Sequence, residues 1–246
     1  MQINFDPKLN SEPVTETRSF EELSIVLVGN QINPTIIQPD FLKMSGIFPL
    51  DWELQQQPIV NSNMAQIVFK NGVSLIAQGR SVSFRETVSP ENANQPQILN
   101  LANNFIDKLP YADYQGFSMN PKIIMVFPNG RDIGQEFIVG RLLSPGPWSS
   151  LGLAPVQAAV NFLYQLERCP LVLNLSSVEF QQADKVPLPA LLFSGSFNYE
   201  VSSYGVSERV QQLKKLLANC LTDIEEFREI VKKRFWQQGD SVFPVR

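Results

Sequence analysis

The stretch MAQIVFKNGVSLIAQGRSVSFRE, residues 64–86, decides the fold. Three short runs rich in β-branched and aromatic residues, 64–69, 73–78 and 81–86, are separated by Lys70-Asn71-Gly72 and by Gly79-Arg80. Asn71-Gly72 is a strong hairpin signal, because both residues tolerate the positive φ of a type I′ turn. The runs therefore predict an antiparallel three-stranded meander. Side chains alternate across a strand, so in SVSFRE Val82 and Phe84 fall on one face and Ser81, Ser83 and Arg85 on the other.

Upstream, SIVLV within residues 22–28 offers a first strand, and residues 1–20 read as a polar, proline-bearing arm that is ordered only if it docks. Downstream of Pro96 the period changes. Ile98, Leu101, Ala102, Phe105, Ile106 and Leu109 recur at helical spacing until Pro110 stops the run. Strands are predicted at 111–118 and 122–127, a turn at Asn129-Gly130, and a further strand over 135–143. The loop SPGPWSSLGLAP, 144–155, is expected to deliver the chain into a second helix that starts at Pro155, carries Val156, Ala159, Val160, Leu163 and Leu166, and ends at Cys169-Pro170. Two longer strands, 170–182 and 190–202, precede a long helix from about Ser207 to Trp236, with a tail over 237–246.

Hairpin turns outnumber the helical crossovers that a parallel sheet needs, which predicts an α+β fold: mostly antiparallel sheet with amphipathic helices on one face. SVSFRE at Ser81 is echoed by SVEFQQ at Ser177, and YQGFSMN by FSGSFNY. Strands recur on a similar few-letter alphabet by chance; if the echo is a duplication it implies two related halves, 21–143 and 144–236, the alternative being one domain over 21–236.

The chain has 246 residues, 43% of them hydrophobic, enough to bury a sizeable core. Its most decisive count is zero histidines. That excludes nucleophiles activated by histidine and axial histidine ligation of haem. Cys169 and Cys220 are the only cysteines, too few for a disulfide framework or for a zinc site of N and S ligands. No metal site and no cofactor is expected. Neither G-x-G-x-x-G nor G-x-x-x-x-G-K-[ST] occurs, which disfavours the familiar nucleotide-dependent enzymes. A net charge of −4 provides no basic field for nucleic acid. The N-terminal residues carry no signal-like apolar run and no stretch nears the ~20 apolar residues of a membrane span, so a cytoplasmic protein without membrane partners is expected.

Two features could carry recognition chemistry. The amides of Ser149, Ser150 and Gly152 would gather at the N-terminus of the helix predicted after them and form a weak anion loop, the plain alternative being a simple connection. In the last helix Val210, Leu213, Leu217, Cys220, Ile224, Phe227 and Val231 step alternately by three and four. Such a stripe is either core laid on the sheet or the seam of a homodimer; Leu216, Leu221 and Ile230 widen it and favour core. Thr222 to Glu225 also reads as a capping box that would divide this helix. Lys232, Lys233 and Arg234 beside Phe235 and Trp236 form a short basic-aromatic cluster.

Residues 33–54, NPTIIQPDFLKMSGIFPLDWEL, fit neither a helix nor a strand period. Pro34, Pro39 and Pro49 prevent regular pairing, which predicts an extended, wrapped connection with at most one helical turn near residues 40–44. Its large apolar side chains either cover the sheet or present a surface to a partner protein, with Ile37, Phe41, Phe48 and Trp52 as the candidate partner residues. The strings Asn33-Pro34, Pro39-Asp40-Phe41-Leu42, Gly46-Ile47, Pro49, Asp51-Trp52-Glu53-Leu54 and Ala65 to Phe69 with Asn71-Gly72 resemble a family of uncharacterised conserved proteins found mainly in cyanobacteria. The order of hairpins, a mid-chain helix and a long C-terminal helix is also similar to a broader set of sporadically distributed bacterial proteins. Neither resemblance implies an activity or catalytic residues. The functional expectation is a non-catalytic interaction or scaffold protein; the alternatives are a ligand- or nucleic-acid-binding accessory protein and a histidine-independent enzyme using carboxylate or lysine chemistry.

Overall fold

The computed structural model of the chain describes residues 3–5, 18–89, 92–128, 132–144, 146–182, 185–202 and 204–236. Strand β1 (Ile3–Phe5) is followed by β2 (Arg18–Gly29), a 3-10 turn (Pro34–Ile36), helix α1 (Pro39–Met44), β3 (Ile59–Val60), β4 (Met64–Val68), β5 (Val73–Gln78), β6 (Ser81–Val88) and helix α2 (Gln97–Lys108). Then come β7 (Tyr114–Val126), helix α3 (Ile133–Phe137) with a π-helical continuation (Ile138–Leu142), and a 3-10 turn (Pro147–Ser150). Strands β8 (Ala159–Gln165), β9 (Pro170–Gln182) and β10 (Leu188–Glu200) lead to helix α4 (Val206–Glu229), which continues as a π-helical stretch (Ile230–Trp236).

The strands form one ten-stranded sheet in the order β1-β9-β10-β7-β2-β6-β5-β4-β3, with β8 beside β9. Pairing is antiparallel except between β1 and β9. The fold is the predicted α+β one. The meander stands where its turns placed it, but the first turn is not type I′: Asn71 does not take a positive φ, Gly72 alone does at +82°, and Gly79 at +58° serves the second turn. Val73, Leu75 and Ala77 on β5 and Val82 and Phe84 on β6 are buried on the face that carries the helices. The opposite face carries Ser24, Ser83 and Asn120 in a polar band. One apolar core runs beneath the helices through both halves of the chain. A smaller one, with Ile124, Phe180 and Leu192, lies at one end of the other face.

Counted outward from the central β2–β7 pair, the chain builds one pattern twice. One side reads β2-β6-β5-β4 and the other β7-β10-β9-β8, each ending in a helix, α2 or α4. The segment of residues 30–58 in the first half thus corresponds to residues 127–158 in the second. The echo of SVSFRE and SVEFQQ does not follow this correspondence. It joins β6 to β9, whereas the partner of β6 in the repeated order is β10.

Three predicted elements are corrected. Residues 111–118 and 122–127 are not two strands: β7 runs unbroken through Pro121, its ladder to β2 continuous from Arg18↔Val126 to Val28↔Gly116. On the β10 side, pairs at Ser194↔Lys122 and Phe197↔Met119 flank a gap at Asn120-Pro121, so the proline's missing donor falls where no ladder bond is made. The strand expected over 135–143 is helical. Asp132 caps it by accepting the Gln135 amide at 2.9 Å, a local signal that outweighs a short apolar run of ambiguous period. The helix expected from Pro155 is strand β8. Val160, Phe162 and Tyr164 alternate inward with period two, and β8 pairs with β9 from Ala159↔Ser176 to Gln165↔Pro170.

Helix α4 is not divided at Thr222; it runs through that position and changes pitch only at Ile230. Its stripe of Leu213, Cys220, Ile224, Phe227 and Val231 is buried against the sheet, which makes it core. The Asn129-Gly130 turn, the tail over 237–246 and most of the arm over 1–20 lie outside the described residues. Among those described, no helix is long and apolar enough to cross a membrane.

Candidate functional site

The segment after β2 is shaped by local polar contacts. Asn33 Oδ1 accepts from the Thr35 amide at 3.0 Å and from its hydroxyl at 2.8 Å, which starts the first 3-10 turn. Pro39 opens α1, and after it Gly46 takes a φ of +76°. The reversal there lets the amides of Ile47 and Phe48 both reach the Leu42 carbonyl at 3.0 Å. Lys43 closes the loop, its ammonium donating to the Leu50 carbonyl at 3.1 Å and to the Trp52 carbonyl.

The apolar side chains of this segment divide by burial. Ile37 and Phe48 are buried, Phe48 stacking on Phe69 with ring centroids 5.0 Å apart. Both cover the sheet, and neither side chain stands out into solvent. Phe41 and Trp52 are half-buried, Trp52 standing edge-on to Phe48 and Phe69 at 5.5 and 5.3 Å. The large apolar side chains that reach solvent furthest are Met44, 85% exposed, and Leu50, 74% exposed, with Ile36 less so.

Between the loop and α2 lies an open groove of about 750 Å³. Its floor is Ile47, Phe48 and Leu101, with Met44 and Leu50 on one rim and Gln97, Asn100 and Asn104 on the other. Asn104 ties the two walls together by donating to the Gly46 carbonyl at 3.3 Å. The groove has no carboxylate in its lining, and its one charged group, Lys43, is engaged by carbonyls. Such a surface binds apolar groups and, through its carboxamides, peptide-like donors and acceptors. Met44, Leu50 and the carboxamide rim were not singled out from the sequence. The available signal was the spacing of Gln97, Asn100 and Asn104 at three and four along α2, beside buried Leu101.

Ser149, Ser150 and Gly152 do not make an anion loop. The hydroxyls of Ser149 and Ser150 turn back to the carbonyls of Gly146 and Pro147 at 2.8 and 3.1 Å. The chain then enters β8 rather than a helix, so no helix N-terminus gathers their amides. The basic-aromatic cluster is divided as well: Phe235 packs on Phe162 and Phe193, Trp236 on Phe127, and only Lys232, Lys233 and Arg234 face solvent.

The buried charges hold the helices to the sheet. Asp223 on α4 has no exposed surface and accepts from Tyr199 Oη at 2.7 Å and from Arg168 Nη2 and Nε at 2.7 and 3.1 Å. Arg168 also reaches Glu226 at 2.5 Å. Burial raises the Asp223 pKa, opposed by the bonds from Tyr199 and Arg168. Burial likewise raises the thiol of Cys169 and the phenol of Tyr199, so both stay protonated at neutral pH. The cluster is a clamp between the β8–β9 turn, β10 and α4. Among the described residues, no group of three or more Cys, Asp and Glu side chains is placed to hold a metal ion.

The helix-free face of the sheet forms a second, shallow depression of about 520 Å³. Ser24 and Ser83 bond across it at 3.0 Å, Ser196 donates to Asn120 at 2.7 Å, and Lys122 pairs with Glu22 at 2.7 Å. No protein-family model matches the chain, and no curated protein is significantly similar to it.

Proposed function

We propose that the protein is a non-catalytic interaction or scaffold protein acting in the cytoplasm, and that its docking site is the groove between the 43–52 loop and α2. The observation that carries this reading is the pairing of a buried apolar floor with exposed Met44 and Leu50 on the rim. Large apolar side chains left in water beside an apolar cleft mark a binding surface. The occupant is an extended, uncharged, apolar segment of a partner protein, because the lining offers no free charge to match a charged peptide while its carboxamides match a peptide backbone. Two buried free thiols accord with a reducing compartment.

The test is selection of displayed random peptides on the full-length protein, repeated on Met44→Glu and Leu50→Glu. Enrichment of apolar, uncharged peptides that both variants lose is expected. Acidic or basic peptides, or peptides that both variants retain, would refute the reading. A polar-ligand-binding role has its own support in the hydroxyl and carboxamide band around Ser83 and Asn120, and a ligand whose binding is lost in Ser83→Leu but kept in Leu50→Glu would favour it.

A further inference from the structure

Among the described residues, strand β8 is an edge with no strand beyond it. Its partner is β9, and among the described residues no backbone group of Ala159–Gln165 bonds to any other segment. The Leu166 amide donates to the Cys169 carbonyl at 3.2 Å, which fixes the phase of the hairpin. Hydrogen-bonded pairs then alternate along it, Tyr164↔Leu171, Phe162↔Leu173 and Val160↔Leu175 facing inward. The amides and carbonyls of Ala159, Asn161, Leu163 and Gln165 therefore point away from the sheet. Pro170, opposite Gln165, fits this phase because its missing donor would not face β8.

The edge is also unprotected in its side chains. AVNFLYQ has no charged residue, no proline and no glycine, the usual devices that keep an edge from pairing. Leu163 is 73% exposed, and Phe162, packed on Tyr164 and Phe235, is only half-buried. The other edge of the sheet is blunted: β3 is two residues long, preceded by Pro58 and followed by Asn61, Ser62 and Asn63.

We propose that β8 pairs antiparallel with β8 of a second copy of this chain, joining two sheets across a twofold axis at Phe162. That register sets Ala159 against Gln165 and Asn161 against Leu163 of the other copy. It is the one antiparallel register that engages every outward amide and carbonyl of both strands. It brings no like charges together and places Phe162 opposite its copy in a non-hydrogen-bonded pair, where side chains approach closest. Among the described residues each copy has one unblunted edge, and a twofold pairing uses it in both copies, so the contact closes as a dimer rather than growing into a filament. The contact is separate from the groove, and its test is independent of the groove reading.

Sedimentation equilibrium of the full-length protein over a concentration series tests the pairing, with Asn161→Pro, Leu163→Lys and, as a control at the far edge, Ile59→Lys. Asn161→Pro deletes an outward donor and leaves the β8–β9 ladder whole. Leu163→Lys changes an exposed side chain, so it folds, and it sets two ammonium groups close to the axis. A dimer is expected for the parent chain and the control, with self-association weakened roughly tenfold or more in both β8 variants. A parent chain that stays monomeric throughout, a dimer unaffected by both variants, or equal loss in Ile59→Lys would overturn the proposal.

Discussion

The carboxylate of Glu86, on β6, stands at the start of α2 and accepts the Ile98 amide at 3.1 Å. Pro96, at the N-cap position, has no side chain that could do so, and the strand supplies the cap that the helix's own sequence lacks. Asn92 donates to the same carboxylate at 2.7 Å. Burial raises the pKa of Glu86 more than these bonds lower it. The folded protein thus holds this proton to a higher pH than the unfolded chain, and stability from Glu86 is fully present below the unfolded value of about 4.3 and falls as pH rises through the folded pKa. Denaturant titrations across this range should show the parent chain losing stability relative to Glu86→Gln as pH rises. A relative gain would mean that the capping bonds outweigh burial. At neutral pH Glu86→Ala should cost about 1–3 kcal/mol by leaving the Ile98 amide uncapped.

The Arg168–Asp223–Tyr199 clamp makes a second prediction. Arg168→Met leaves a carboxylate with no exposed surface and only Tyr199 to satisfy it, and should destabilise by about 3–5 kcal/mol. Adding Asp223→Asn removes the stranded charge and should recover a large part of that loss. Tyr199→Phe should cost less, about 1–2 kcal/mol, because Arg168 still compensates Asp223. Equal losses for all three variants, measured by chemical denaturation, would show that packing rather than charge holds this corner.

For the α4 stripe, Leu217→Ala and Ile224→Ala should each lower unfolding stability by about 2–5 kcal/mol, the range for truncating core side chains. Neither should alter the oligomeric state, since both side chains face this chain's own sheet. Leu221→Ala, on the outer side of the same helix, should change stability far less. Thermal melts and sedimentation on the three variants separate core from seam.

The elements legible in the sequence were those whose signal is local and redundant. Asn71-Gly72, flanked by alternating runs, fixed the meander, and a stripe several turns long fixed α4. Strand β8 was misread because Val156, Ala159, Val160 and Leu163 also fit a helical period over so short a span. What decided for strand was pairing with β9, thirteen residues long and itself fixed by β10, a tertiary fact absent from the local pattern. The groove was half legible. The proline-rich segment announced an irregular apolar cover, but which side chains reach solvent depends on where α2 lies. Residues alternating within one loop, Phe48 inward and Leu50 outward, cannot be sorted without it.

Pro121 marks a further place where local and tertiary signals disagree, and it leads to a test of how α4 is seated. Across from it in β10 lies Gly195, and over both presses the ring of Phe227 from α4. A Cβ on Gly195 would sit 2.7 and 2.8 Å from Phe227 Cε2 and Cδ2, and 3.2 Å from Pro121 Cγ. Phe227 is wholly buried, and a ring in a close-packed interior shifts only by displacing its neighbours. The missing side chain of Gly195 is therefore the socket for the Phe227 ring, placed where Pro121 has already interrupted the ladder. Gly195→Ala should destabilise the protein by about 1–3 kcal/mol through overpacking, although alanine has the better intrinsic preference for a strand. Phe227→Leu alone should also cost stability, by leaving a void. Combined with Gly195→Ala it should cost less than the two losses together, because the new methyl group occupies part of the space the ring vacated. Strict additivity in the double-mutant cycle, read from denaturant midpoints, would show that the glycine is there for the backbone and not for the ring.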